Sequence, residues 1–221
     1  MRIAFVVDVH GRSELVAAAL AEIGEIDLLV VGGDITQGGS PEDAGTAVEQ
    51  WRRLVPNLLA VAGNMDSPAI DARLDELGVA LDGRGVVFGE AGFFGVSAAP
   101  FSPLETPYEL PEEEIERRIE RAFADVTAAR IRIFCPHTPP HGTACDRLES
   151  GEHVGSEAVR RFIDREQPEL VLCGHIHESR AMDQVGRSRI VNPGPLAAGH
   201  YATADLQRGP SVRMCSLAAA D

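Results

Sequence analysis

Seven residues, grouped at five points along the chain, carry side chains of the kind that hold metal ions. Asp8 and His10 stand in Asp8-Val9-His10-Gly11, Asp34 closes Gly32-Gly33-Asp34, Asn64 follows Gly63, His137 follows Pro136, and His175 and His177 flank Ile176 after Gly174. Imidazole is the commonest metal-binding side chain. Each group comes directly after an apolar run, so each is expected at the carboxyl end of a buried strand, the edge at which open α/β sheets bind ligands. One such residue pair recurs by chance about once per ~400 positions when each type makes up ~5% of a sequence. Five groups in order are a different matter. Taken alone, Asp34 or Asn64 would more often cap a helix or turn the chain.

Carboxylate, imidazole and amide oxygen without thiolate suit divalent first-row ions of intermediate hardness, namely Mn, Fe, Co, Ni or Zn, with Mn favoured. The donors are too many for one ion. Two ions ~3.5 to 4 Å apart that share a carboxylate and a hydroxide would polarise a phosphoryl group and supply the nucleophile for in-line displacement. That chemistry is phosphoester hydrolysis.

The elements that must position these residues are legible in the spacing. Arg2 to Val7, Asp27 to Val31 and Leu58 to Ala62 read as buried strands. Helices are expected between and after them: one from Ser13 with Ser13 as its cap and Gly24 as its stop, one over Pro41 to Leu54, and one over Pro68 to Leu77 closed by Gly78. This alternation predicts a parallel βαβαβ sheet with right-handed crossovers. Val86 to Phe88 and Gly92 to Val96 suggest a hairpin in a second sheet, followed by a Pro-rich loop over residues 98–111 and an amphipathic helix over Glu112 to Ala129 that packs on a sheet face. Strand Ile131 to Cys135, helix Ser156 to Glu166 and strand Leu170 to Cys173 follow, and Ser188 to Val191, His200 to Leu206 and Ser211 to Cys215 read as further strands of the second sheet. The loop from His137 to about residue 155 is long for a compact domain, as functional loops often are.

Composition narrows the class of protein. A chain of 221 residues fits a single domain, 1–221, with a sizeable core. No apolar run approaches a bilayer span, and Asp8 interrupts the N-terminal run too early for a secretory signal, so a cytoplasmic protein with no membrane contact is expected. Cys135, Cys145, Cys173 and Cys215 show no C-x-x-C spacing and read as reduced packing residues. A formal charge of −14 argues against an extended nucleic-acid surface, so an acidic substrate must meet a local positive charge such as bound metal. All 20 basic residues are Arg, which fits either a saline cytoplasm or Arg-favouring codon usage. The expected partner is a small phosphoester, and self-association into a homo-oligomer stays open.

The order Asp-x-His, Gly-Asp, Gly-Asn-x-Asp, His, Gly-His-x-His resembles the calcineurin-like metallophosphoesterases, and the tail through Asn192-Pro193-Gly194-Pro195 resembles their small stand-alone microbial branch. The resemblance implies an α/β fold, a two-sheet β-sandwich flanked by helices in four αββα layers. It implies that Asp8, His10 and His177 hold one ion, that Asn64, His137 and His175 hold the other, and that Asp34 bridges them while a metal-bridging hydroxide attacks. Many members carry a second His directly after the Asn, thought to protonate the leaving oxygen or grip the phosphate; here that residue is Met65. A thioether donates no proton, and a lost general acid forfeits about 10² to 10⁴ in rate. Phosphodiesters or activated esters are therefore expected over alkyl monoesters.

His141, in the long loop, is a candidate substitute acid that would restore monoesterase activity, and His153, Arg12 and Arg180 are candidate substrate-binding residues. Asp66 reads as a turn or cap residue, and Glu178 as a hydrogen-bond partner for a ligand histidine. A scaffold that has lost catalysis would be expected to lose ligands, whereas all seven are kept. A dinuclear amidohydrolase would place His-x-His near the start of a longer barrel.

Overall fold

The structure, a computed structural model, describes residues 1–207 and 209–218. In chain order its elements are β1 (Arg2–Val6), α1 (Ser13–Ile23), β2 (Leu28–Val31), α2 (Pro41–Leu54), β3 (Leu58–Ala60), α3 (Pro68–Glu76), β4 (Gly85–Phe88) and β5 (Ala91–Val96). Two short strands, β6 (Ala99–Pro100) and β7 (Glu109–Leu110), precede α4 (Glu112–Ala124), β8 (Ile131–Pro136), α5 (Glu157–Glu166) and β9 (Leu170–Leu172). The chain closes with β10 (Ala181–Val185), β11 (Ser188–Asn192), a 3₁₀ turn at Leu196–Ala198, β12 (His200–Asp205) and β13 (Ser211–Ser216).

Two main sheets result, ordered β13-β12-β1-β2-β3 and β10-β11-β9-β8-β5-β4, beside a two-stranded β6-β7 pair. β1, β2 and β3 run parallel, as do β5, β8, β9 and β11, while β4 and β10 pair antiparallel at the two edges of the second sheet. The period-two geometry of a strand sorts its side chains between layers. Ile3, Phe5, Val7, Leu28 and Val30 meet Phe93, Ile133, Leu170 and Leu172 between the sheets. Ala4, Val6, Leu29 and Val31 turn the other way, onto Val16, Leu20, Val48 and Trp51 of the first pair of helices. Phe94, Phe134 and Val171 do the same against α4 and α5, where the Phe94 and Phe134 rings stack at 4.8 Å. Both faces of each central strand are buried, which is why these strands are continuous apolar runs rather than alternating ones. The architecture is the expected four-layer α/β sandwich.

Five local expectations are corrected. β12 and β13 join the first sheet, not the second: β12 pairs antiparallel with β1, from Arg2 against Asp205 to Phe5 against Ala202. That hairpin covers a β1 edge that would otherwise present unpaired amides. The helix after Pro111 ends at Ala124 rather than Ala129: beyond it the chain tightens into turns, with Val126 N–H donating to Phe123 O at 3.0 Å and Ala129 N–H to Val126 O at 2.9 Å. Ser13 is the first helical residue and caps nothing; Arg12 occupies the cap position, and its side chain makes no capping bond. The loop over residues 98–111 contains the β6–β7 pair, and β10 lies where no strand was expected. Ser40 with Asp43, by contrast, forms a full capping box on α2 with Pro41 in the first turn.

A buried polar cluster pins the 98–111 segment to the sandwich. Asp71 accepts from Ser97 Oγ at 2.8 Å and from the Tyr108 hydroxyl at 2.7 Å, and Arg118 donates to Asp82 at 2.7 Å and to Tyr108 at 2.8 Å. The Tyr108 amide in turn donates to the Asn64 carbonyl at 3.0 Å, so this cluster abuts a candidate ligand. Burial, with the nearby Asp82 charge adding to it, lifts Asp71 from its ordinary 3.8 to about 7. Between those values the native state binds a proton that the unfolded chain has released, so this group lowers stability as pH rises through the window. Replacing Asp71 by Asn should remove that slope. The melting temperature of D71N relative to the wild type should climb from pH 4 to pH 7 and then level off; a difference independent of pH would contradict the assignment.

Candidate metal centre

The seven candidate residues converge at the carboxyl edge of both sheets. Beyond β1 and β2 the ladder continues through the loops, with Asp8 N–H donating to Gly33 O at 3.0 Å, His10 N–H to Asp34 O at 2.8 Å and Gly11 N–H to Ile35 O at 3.0 Å. His137 Nδ1 lies 2.8 Å from Gly32 O, and Gly174 N–H donates to His137 O at 2.9 Å, which ties the ends of β8 and β9 to that of β2. Asp8, His10, Asp34 and His175 all have left-handed backbone, φ 54°, 48°, 48° and 66°, making them four of the seven non-glycine residues with positive φ among the described residues. Such conformations cost roughly 1 to 2 kcal/mol each for an L-residue, and here they coincide with the donors. Gly63 and Gly174 allow close approach: a Cβ on Gly63 would overlap the Asp34 carboxylate, and one on Gly174 would overlap Val7.

Two groups of donor atoms face each other across Asp34. Donor atoms of Asp8, His10, Asp34 and His177 lie within 4.8 Å of one another. In this group His10 Nε2 is 3.1 Å from His177 Nε2 and 3.8 Å from Asp34 Oδ2, and His177 Nε2 is 3.7 Å from Asp8 Oδ2. In the other, Asn64 Oδ1 is 3.0 Å from His137 Nε2 and 2.7 Å from His175 Nδ1, and His137 Nε2 is 3.7 Å from Asp34 Oδ1. His137 donates from Nδ1 to Gly32 O, which leaves the Nε2 lone pair aimed at the Asn64 oxygen, acceptor against acceptor. His10 Nδ1 is buried without a hydrogen-bond partner among the described residues. Convergent lone pairs of this kind fit a cation.

Electrostatics point the same way. Burial pushes Asp8 up to about 8, partly offset by the His175 amide, and burial together with the Asp8 and Asp66 charges raises Asp34 well above the carboxylate range. Burial, with the neighbouring His177, lowers His10 and His175 to about 4; burial, with His175 next, holds His137 well below its usual value, and burial lowers His177. The imidazoles are thus neutral and the carboxylates lack a counter-charge, with no Arg among the cavity-lining residues described. A divalent ion reverses both deficits, because its ligands must be neutral imidazole and ionised carboxylate. Asp66 plays a different part. Its oxygens accept from Ile35 N–H, Thr36 N–H, Thr36 Oγ and Gly63 N–H at 2.9 to 3.0 Å, which uses its acceptor sites to hold the β2 and β3 loops in place.

The other sequence candidates lie apart from this cluster. His141 and His153 pack edge to face at 5.9 Å, and His153 Nδ1 is held 2.8 Å from buried Asp146. Neither ring lines the metal cavity; His153 and Arg180 face an adjoining cleft that shares Leu148 and Glu178 with it. Arg12 is bound to Glu14 at 2.8 Å, and the Arg180 guanidinium donates to the carbonyls of Pro193 and Cys215 at 2.8 and 3.3 Å. Gln37, Leu104, Thr106 and Leu148 line the cavity without a signal in the sequence that singles them out.

Comparisons with known proteins agree with the geometry. Residues 1–179 match the calcineurin-like phosphoesterases, and the chain belongs to that family. An uncharacterized protein of Methanocaldococcus jannaschii is 31% identical over 210 residues, covering 92% of each chain. A probable cyclic nucleotide phosphodiesterase of Synechococcus is 26% identical over 163 residues, covering 69% of this chain and 58% of that one. The crystal structure of a dimetal phosphatase from Danio rerio shares the fold over 99% of both chains, with a TM-score of 0.66 at 12% identity.

Metal binding to the folded chain alone should raise its stability. At a free ion concentration of about 100 Kd the gain is ~2.7 kcal/mol, or roughly 5 to 10 °C in melting temperature for a domain of this size. Scanning calorimetry of chelator-treated protein with and without added Mn or Zn checks this, and an unchanged melting temperature would contradict a metal centre.

Proposed function

We propose that the chain is a two-metal phosphoesterase that prefers phosphodiesters, with Asp8, His10 and His177 at one ion, Asn64, His137 and His175 at the other, and Asp34 serving both. The observation that carries this is the placement of Asp34, whose Oδ2 faces His10 Nε2 at 3.8 Å while its Oδ1 faces His137 Nε2 at 3.7 Å. Two divalent ions of the Mn, Fe, Co, Ni or Zn type, Mn favoured, would polarise the phosphoryl group and make water nucleophilic at neutral pH.

The chain's own residues do the rest. The Gly32 carbonyl fixes the tautomer and direction of His137 and makes its Nε2 a better donor to a cation. His175 N–H donates to the Asp8 carboxylate at 3.1 Å, so the loop that carries His175 and His177 orients the carboxylate of the loop that carries His10. Met65 supplies its backbone amide to Asp34 Oδ1 at 2.7 Å, while its thioether lines the cavity where it can donate no proton. Leaving groups must therefore depart with little protonation, which favours diesters and activated esters over alkyl monoesters. The relation to a probable cyclic nucleotide phosphodiesterase supports the same preference. His141 is not assigned as the acid, since its ring packs on His153 outside the cavity lining. Arg12, His153 and Arg180 shape the surroundings rather than grip the phosphate. The full set of seven donors favours an enzyme over a scaffold. The proposal takes residues 1–221 as one cytoplasmic domain acting on a small phosphoester, and no helix among the described residues is long and apolar enough to cross a membrane.

Metal-reconstituted protein should hydrolyse bis(p-nitrophenyl) phosphate with a kcat/KM at least ~100-fold above that for an alkyl monophosphate. H175A and H177A should each retain one ion where the wild type holds two, measured by metal analysis. Faster turnover of the monoester would overturn the diester preference, and two ions retained in both variants would overturn the ligand assignment.

A further inference from the structure

The cavity above the donors, about 590 Å³, has a wall that the chemistry at its floor does not require. Met65, Leu104, Leu148 and Ile176 line it, and they come from four separate loops, after β3, between β6 and β7, after β8 and after β9. Leu104 is the most exposed of the large apolar residues at 80%, and Phe101, on the same loop, is 69% exposed. An isolated exposed Leu needs no explanation. This one is held in place. The Glu109 carboxylate accepts from Ser102 N–H at 3.1 Å, Ser102 Oγ at 2.7 Å, Thr106 N–H at 2.9 Å and Thr106 Oγ at 2.8 Å, and the Leu104 amide donates to Ser102 Oγ at 3.2 Å. The turn is closed on its own acid, and its tip projects Leu104 beside the metal donors with little of its surface covered by the protein.

Cations are missing from the same place. No Arg lines the cavity among the described residues, and the chain has no Lys. In the adjoining cleft Arg147 shares the lining with Glu149, Glu178 and Asp183, and the Arg180 guanidinium is turned to backbone carbonyls. Within the cavity a second anionic group on the substrate would find the Glu178 and Asp34 carboxylates and no arginine among the described lining residues, whereas an apolar group would cover Leu104 and its three neighbours. We infer that this site selects phosphoesters whose further substituent is bulky and apolar or aromatic, and discriminates against a second anion there. The inference rests on the phosphoesterase assignment and names its substrate class.

Binding separates the two claims, because it does not depend on turnover. Calorimetric titration of Mn-loaded protein should show phenylphosphonate binding about tenfold or more tighter than methylphosphonate, the ring being taken out of water against the apolar wall. Adding a para carboxylate, as in 4-phosphonobenzoate, should weaken binding relative to phenylphosphonate. L104S should cut the phenyl preference to about threefold or less with an unchanged melting temperature, since Leu104 is mostly exposed, and L148S should act in the same direction. Equal affinity for the phenyl and methyl compounds, or tighter binding of 4-phosphonobenzoate, would overturn the inference even if diesters are hydrolysed. A retained phenyl preference in protein that hydrolyses no diester would uphold the apolar selection and sink only the diester assignment.

Discussion

A buried carboxylate with an imidazole nitrogen opposite each of its oxygens is the constraint on which this structure turns. Asp34 is almost wholly removed from water, the Met65 amide is its closest hydrogen-bond donor, and Asp8 and Asp66 lie near enough to raise its proton affinity further. Neutral His10 and His137 add no positive charge. An isolated ionised carboxylate in such surroundings is strongly unfavourable. Three acids and four neutral imidazoles kept together, with no arginine among the described lining residues, are suited to a positive charge supplied from outside the chain.

The rest of the fold can be understood as the means of holding that arrangement. Apolar strands buried on both faces fix the ends of β1, β2, β3, β8 and β9 relative to one another, and the hydrogen bonds that run on past those ends carry the order into the loops. Left-handed backbone at Asp8, His10, Asp34 and His175 is tolerated because this ladder leaves the chain no relaxed alternative. Asp66 closes two loops at once, and the Asp71–Tyr108–Arg118 cluster anchors a third behind Asn64. Rigid support of this kind is what a metal site needs if its donors are to stay in place.

Much of this was legible in the sequence, for a physical reason. The donors directly follow apolar runs, and a strand buried on both faces has to be such a run, so the residue types and their places at strand ends could be read together. Partnership between strands was less accessible. β12 and β13 were expected in the second sheet because a short strand does not encode which edge it will cover, and the bare edge of β1 is visible only in three dimensions. Proximity in sequence misled in the long loop, where His141 lies four residues from His137 yet does not line the cavity. There buried Asp146 gathers the amides of Gly142, Thr143 and Gly155 together with His153 and folds the loop on itself. The positive φ angles and the apolar wall around Leu104 had no local signature, since both arise from distant segments meeting.

The most direct measurement is a crystal structure of Mn-soaked protein with anomalous data at the metal edge. The account predicts two peaks ~3.5 to 4 Å apart, one bounded by Asp8, His10 and His177, the other by Asn64, His137 and His175, with one oxygen or both of Asp34 reaching each. A single peak with no ion among Asn64, His137 and His175, or two peaks with Asp34 bound to neither, would contradict it.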